Sequence, residues 1–101
     1  MAYRLIMLKV AAEDASEAYD HYENIQSGLG DRFLAELLDR LNEISKHPHY
    51  YGFIDNQNII RDVMLKSFPY QIVYEIEADK VIIYSIHCSY KDPDKRFKKS
   101  G

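Results

Sequence analysis

Residues 3–10 alternate in a period of two, with Ile6, Leu8 and Val10 on one side and Tyr3, Leu5 and Met7 on the other. Both sides are largely apolar, which predicts a strand covered on at least one face. From residue 12 the period changes. Ala15, Ala18, Tyr19, Tyr22 and Ile25 recur at helical spacing, so residues 12–26 predict a helix with a stripe of small residues and tyrosines. Glu13, Asp14 and Glu17 are then expected in its first turns, where carboxylates suit the helix dipole. Ser27-Gly28-Leu29-Gly30 interrupts the pattern. Residues 30–47 predict a second helix, with Asp31 or Gly30 near its cap. Phe33, Leu34, Leu37, Leu38, Leu41 and Ile44 form its apolar stripe, and Arg32, Glu36, Asp39, Arg40 and Glu43 its polar side. Glu36 and Arg40 are spaced for an exposed ion pair of about 0.3 kcal/mol. Pro48 stops the helix. The short connection makes the two helices an antiparallel hairpin.

Residues 47–57 read as a loop carrying Tyr50, Tyr51 and Phe53. Residues 59–66, 70–77 and 81–88 read as strands joined by Ser67-Phe68-Pro69 and Ala78-Asp79, an antiparallel meander. The order is strand, helix, helix, strand, strand, strand, in one domain over residues 1–101. The fold class is therefore α+β, a helical hairpin packed on one face of a small, mainly antiparallel sheet. Parity places Ile72, Tyr74 and Ile76 on the core face of the third strand, with Gln71, Val73 and Glu75 opposite. In the second strand Arg61 shares the core side with Val63 and Leu65, and Asp62, Met64 and Lys66 form a polar face. Phe33, Leu37, Leu41, Ile72, Tyr74 and Ile83 are expected to be buried. The sheet face without helices is left for solvent, a partner or a target.

Charge changes this picture at one end. The 101 residues carry a net charge of −3 and 29% charged residues, with an isoelectric point near 5.7. From Lys91 to Lys99, five cations (Lys91, Lys95, Arg96, Lys98, Lys99) face two acids (Asp92, Asp94), leaving +3 there and −6 on the first 90 residues. A basic tail on an acidic body suggests a local anionic contact, and Tyr90, Lys91, Lys95 and Arg96 are its candidate contact residues. The global balance gives no support to general nucleic-acid binding or sequence-specific DNA recognition. No apolar run approaches a membrane span, and the apolar stretch at residues 5–8 is too short for a signal-peptide core. A single cysteine, Cys88, excludes an internal disulfide framework, so a reduced cytoplasmic protein is expected.

Candidate chemistry is sparse. Arg61 near the core side needs a carboxylate or carbonyl partner. His87, beside Cys88, Ser89 and Tyr90 at a strand end, is a candidate general acid or base. His47 and His49 offer only a weak His-x-His metal pattern, and Cys88 lacks a matched base. No metal or cofactor is expected. Of the nine tyrosines, Tyr3, Tyr19, Tyr22, Tyr74 and Tyr84 follow apolar patterns, whereas Tyr50, Tyr51 and Tyr90 fall in loops and suit stacking or packing equally.

Several stretches together resemble the RelE/ParE toxins of bacterial type II toxin–antitoxin systems. They are Ala12-Glu13-Asp14 through Tyr19-Asp20-His21-Tyr22, Gly28-Leu29-Gly30-Asp31-Arg32-Phe33-Leu34, Ile60-Arg61, Ser67-Phe68-Pro69-Tyr70-Gln71-Ile72-Val73-Tyr74, and Ile86-His87 ahead of Lys91-Asp92-Pro93. The resemblance runs from Tyr3 to about Arg96 and is greater to the ParE, or plasmid-stabilisation, branch. It implies the element order read above, an antitoxin partner, and one of two activities. RelE-like members cut messenger RNA in the ribosome without metal, using basic and tyrosine residues on the exposed sheet face. ParE-like members are not nucleases, and the characterised ones act on DNA gyrase. Alignment through Tyr70 puts Asp62, Met64 and Gln71 where the nuclease branch has cations, with Lys91 the one cationic match. Losing those cations removes most stabilisation of a phosphorane-like charge, and an acidic protein docks poorly on ribosomal RNA. The resemblance therefore implies a growth-inhibiting toxin that binds its target. The alternatives are a metal-free ribonuclease using His87, Tyr90 and Lys91, and an orphan member retaining only protein binding. Arg61, Tyr70 and Tyr74 are carried as residues of structural or functional weight.

Overall fold

The computed structural model describes residues 2–89. Tyr90, Lys91, Lys95 and Arg96, with the rest of the basic stretch, lie outside the described residues. Strand β1 is Arg4–Met7, helix α1 is Lys9–Ile25 and helix α2 is Leu29–Lys46. A 3₁₀ turn at Pro48–Tyr50 leads to β2, Ile60–Met64, then β3, Tyr70–Glu77, and β4, Lys80–Cys88. The sheet order is β1-β4-β3-β2, with β1 parallel to β4 and the other pairs antiparallel. This is the expected α+β hairpin-on-sheet architecture. All six residues named for the core are buried.

The first strand is shorter than its alternation predicts. Leu8 donates its N–H to the Ile83 carbonyl at 3.1 Å, the last ladder bond, and then caps α1. The chain must turn there to lay its helix back on the sheet, so Val10 enters the helix and is exposed. With α1 starting at Lys9, no acid lies in its first turn, and the dipole role expected for Glu13, Asp14 and Glu17 is not realised. Helix α2 also starts early. Its cap is Gly28, at φ +91°, a conformation that favours glycine. Gly28 has no side chain to cap with, so Glu23 of α1 supplies the carboxylate. Its two oxygens accept the N–H groups of Gly28 and Gly30, each at 2.9 Å. Asp31 sits in the first turn and accepts the Tyr19 hydroxyl at 3.1 Å.

The apolar seam of α2 is narrower than expected. Phe33, Leu37, Leu41 and Ile44 are buried, but Leu34 and Leu38 are exposed, the latter at 55%. The Glu36–Arg40 pair does not form. Arg40 bonds Glu43 at 2.9 Å instead, and Glu36 accepts the Ser67 N–H at 2.9 Å, tying α2 to the turn before β3. At the helix end, Ser45 exchanges bonds with Tyr3: its hydroxyl donates to the Tyr3 carbonyl at 2.7 Å, and the Tyr3 N–H donates to its carbonyl at 2.8 Å.

A register shift in the β3–β4 pairing decides which side chains share a face. Val73 pairs with Ser85 and Tyr74 with Ile83, so Tyr84 is an extra residue on β4. Before this bulge Val81 and Ile83 face the helices. After it Ile86 does, and Ser85 and His87 turn to the other side. The core expected for β3 is present, but its other parity is not solvent-facing: Gln71 and Val73 are 1% and 0% exposed. Both residues belong to a central strand, flanked by β2 and β4.

Candidate functional site

Both helices and the 3₁₀ turn lie on the Tyr74 side of the sheet. The opposite face is built by β2, β3 and the bulged end of β4, and it carries Asp62, Met64, Gln71, Glu75, Tyr84, Ser85 and His87. Gln71 donates its side-chain N–H to Asp62 Oδ2 at 2.8 Å. Ser85 Oγ lies 3.1 Å from His87 Nδ1. The Tyr84 hydroxyl donates to Glu75 Oε1. Burial and that carboxylate push the Tyr84 phenol up to about 12, so it stays protonated at neutral pH. The site is thus an array of amide, carboxylate, hydroxyl and imidazole. It can accept and donate hydrogen bonds and bind cationic groups. Among the described residues, this array itself includes no cation to stabilise an extra negative charge on phosphate.

Arg61 does not contribute to that face. Its Nη1 donates to the carbonyls of Tyr51 at 2.6 Å and His49 at 3.3 Å, and its guanidinium lies 3.9 Å from the centre of the Phe53 ring. Tyr74 works on the same loop, donating its hydroxyl to the Pro48 carbonyl at 2.7 Å. Burial raises its phenol far above the ordinary range. Together they pin the 48–53 segment, leaving Tyr50 exposed at the tip and edge-on to Tyr51. Tyr70 points into the helix side against Tyr22 and Phe33, where burial first and Tyr22 second push its phenol to about 12.

A cleft of about 250 Å³ opens between α1 and the end of β4, lined by Asp14, Glu17, His21, Tyr70, Ile86 and Cys88 among others. Strand β1 pairs with β4 only as far as Ile83, so the edge beyond needs another partner. Asp14 provides it, accepting the Ile86 N–H at 3.1 Å across 72 residues. Burial raises the Asp14 carboxyl above its ordinary value, opposed by that bond, with Glu17 and Glu13 adding to the rise. A raised folded-state value means ionisation of Asp14 works against the fold, and its contribution falls as pH climbs through that value. Asp14→Asn, which keeps an acceptor for Ile86, is expected to leave stability at pH 7 unchanged or higher and to flatten its acid-side pH dependence. Asp14→Ala leaves the N–H unpaired and is expected to cost about 1–3 kcal/mol. Urea unfolding of both variants from pH 4 to 8 checks this. A loss with asparagine equal to that with alanine would refute it.

The sequence brought Asp62, Met64 and Gln71 to one face but did not foresee the Gln71–Asp62 bond or the bulge that adds His87 to them. Of the other candidate residues, Tyr90, Lys91, Lys95 and Arg96 fall outside the described region. Asp14 and Glu23 were missed as hydrogen-bond acceptors. Glu23 had a local signal, an acid just ahead of a glycine-rich helix junction. Asp14 had none, because its partner is remote in sequence. Among the described residues no group of His, Cys, Asp and Glu is arranged to hold a metal ion, and no helix is long and apolar enough to cross a membrane.

No family model matches the sequence. Over 78 residues the chain is 32% identical to a flavin-dependent thymidylate synthase of Gluconobacter oxydans. That stretch is 75% of this chain and 25% of the synthase, so the chain spans about a quarter of the length of the curated relative it matches. Solved structures are similar over far more of their length. A chain of the chromosomal ParDE TA system from P. aeruginosa superposes with a TM-score of 0.75, covering 86% of this chain and 96% of that one at 16% identity. E. coli toxin RelE, as a mutant in complex with an antitoxin RelBc peptide, gives 0.68 over 99% of each chain at 18% identity. The toxin–antitoxin complex RelBE2 from Mycobacterium tuberculosis gives 0.62 over 87% and 99% at 16% identity. The chain has the fold shared by these RelE and ParE structures.

Proposed function

We propose that this chain is the toxin of a type II toxin–antitoxin pair, that it acts as a single domain, and that it inhibits growth by binding a protein target, as ParE-like toxins do with DNA gyrase, without cutting RNA. The observation that carries the choice between the two branches is the Gln71–Asp62 bond. Two of the three positions where the nuclease pattern has cations, Asp62 and Gln71, are joined here as a carboxylate and an amide, and the third is Met64. A carboxylate at that point repels the phosphate of a message rather than holding it. The proposed antitoxin covers apolar surface that the helical hairpin leaves open, where Val10, Ile25 and Leu38 are all more than half exposed. The 78-residue likeness to part of a thymidylate synthase supports no flavin chemistry in this reading, since three quarters of that protein has no counterpart in the match.

One observation favours the ribonuclease reading: His87 and Ser85 are within hydrogen-bond distance on the same face. Induced expression without an antitoxin separates the two. Growth should slow, and primer extension on messages recovered after induction should show no new cuts at ribosomal codon positions. Codon-phased cleavage abolished by His87→Ala would reverse the choice. Unaltered growth at full soluble expression would leave only the orphan reading.

A further inference from the structure

Tyr50 is 82% exposed, more than any other large apolar side chain among the described residues. A ring so placed adds almost nothing to the core. Yet the backbone on both sides of it is tied down. The carbonyls of Pro48, His49, Tyr51 and Gly52 each accept a hydrogen bond from the sheet. The donors are the Tyr74 hydroxyl at 2.7 Å, Arg61 Nη1 at 3.3 and 2.6 Å, and the Asp62 N–H at 3.4 Å. The Tyr50 N–H bonds the His47 carbonyl at 3.2 Å, and its ring stands edge-on to Tyr51 at 5.2 Å. Exposed loop tips are ordinarily the mobile parts of a fold. This one is fixed at the residue that buries least. Beside it lies a cleft of about 390 Å³, lined by Glu36, Asp39, Arg40, Glu43, Lys46 and Lys66 among others. Arg40 and Glu43 pair at 2.9 Å and both lie 3.5 Å from the Tyr51 hydroxyl, so the cleft adjoins the loop. Glu36 is engaged by the Ser67 N–H. That leaves the side chains of Lys46, Lys66 and Asp39 without a hydrogen bond or ion pair among the described residues.

From these facts we propose that Tyr50 is the anchor by which this chain engages its protein target. The ring enters an apolar pocket on that protein, and Lys46 and Lys66 meet carboxylates at the pocket's rim. The inference rests on the target-binding reading above and adds the surface used. Tyrosine rings dominate protein interfaces because they bury a large area with few rotatable bonds. A loop already fixed loses little freedom on binding. The uncommitted charge beside the ring is two cations against one acid, which suits an acidic rim and mainly steers the encounter. Nucleic acid is the poorer fit. Arg40 and Arg61 are engaged by Glu43 and by backbone carbonyls, and the first 90 residues carry −6.

The test is growth without antitoxin, titrated with inducer while soluble protein is measured, for the parent, Tyr50→Ala, Tyr50→Phe and Lys46→Glu/Lys66→Glu. Purified Tyr50→Ala should unfold in urea at the parent's midpoint, because the ring is outside the core. A clearly lowered midpoint would make the ring structural and overturn the assignment. Equal slowing of growth should need about ten to thirty times more Tyr50→Ala than parent, the change expected for loss of an interface anchor. Tyr50→Phe keeps the ring and should stay within about threefold. The lysine reversal should weaken inhibition, and no effect would overturn the acidic rim. If Tyr50→Ala slows growth as the parent does, this inference falls and the toxin reading stands. If that fully active variant also escapes neutralisation by the co-expressed antitoxin, the ring belongs to the antitoxin instead. Message cuts by the parent that vanish with Tyr50→Ala would give the ring to RNA and overturn the proposal too. A parent without effect on growth at full soluble expression removes the toxin reading itself, and this surface with it.

Discussion

Phe33→Ala is expected to lower stability by about 3–5 kcal/mol, the largest loss for any single truncation proposed for this chain. Phe33 is fully buried on α2, and its ring lies 5.5 Å from that of Tyr22, 5.4 Å from Phe68 and 5.2 Å from Tyr70. Those three rings come from α1, the turn before β3, and β3 itself, so one side chain joins both helices to the sheet. Removing it opens a cavity bounded by rings that cannot collapse together, because each is fixed to a different element. The tilted and edge-on contacts are lost as well, each worth about 0.5–1.5 kcal/mol beyond area. A domain of this size has about 5–15 kcal/mol in total, so the variant keeps little margin at 37 °C. Urea unfolding should show an earlier midpoint at an unchanged slope. Leu38→Ala, on the exposed side of the same helix, should change stability by less than about 0.5 kcal/mol. A Phe33→Ala loss below about 1 kcal/mol would mean the aromatic cluster is not the junction described.

The same cluster shows what the sequence could and could not reveal. Phe33, Leu37 and Leu41 were legible because each recurs at helical spacing, and a buried seam has to repeat that way. Leu34 and Leu38 obey the same arithmetic but lie on the flank of the seam, and spacing alone does not tell how wide the neighbouring element is. Strand alternation failed in two places for a related reason. Leu8 and Val10 continue the pattern of β1, but the chain must turn at Leu8 to cross over into a parallel connection, and nothing in Leu8-Lys9-Val10 marks the turn. The bulge at Tyr84 has no glycine or proline to announce it. Parity counted through it would send Ser85 and His87 to the core and Ile86 outward. The polar face was therefore legible in β2 and β3, where Asp62, Met64 and Gln71 alternate cleanly, and illegible in β4. Contacts such as Asp14 to Ile86 depend on where α1 lands, which no local pattern encodes.

Gly30→Ala is expected to destabilise the protein by about 1–3 kcal/mol, although alanine is the better helix former by about 1 kcal/mol. A Cβ on Gly30 would stand 2.8 Å from the Tyr19 carbonyl oxygen, 2.8 Å from Glu23 Oε1 and 3.0 Å from Tyr19 Cδ1. The carboxylate could swing aside, but it would then release the Gly30 N–H, which it accepts at 2.9 Å. The Tyr19 oxygen cannot swing, because it belongs to the backbone of α1. The helices must separate at this contact, and that strain spreads to the seam at Phe33 three residues on. The effect is specific to this contact, which a second glycine makes testable. A Cβ on Gly52 would meet nothing within 4 Å, and the backbone there is not left-handed, so Gly52→Ala should fall within about 0.5 kcal/mol of the parent. Glu23→Ala should reproduce part of the Gly30→Ala loss by leaving two N–H groups at the start of α2 without their acceptor. If the double variant Glu23→Ala/Gly30→Ala is less destabilised than the sum of the single ones, the carboxylate and the glycine act as one device. Strict additivity, or a Gly30→Ala protein as stable as the parent, would separate them and show that the hairpin tolerates a wider gap than its geometry allows.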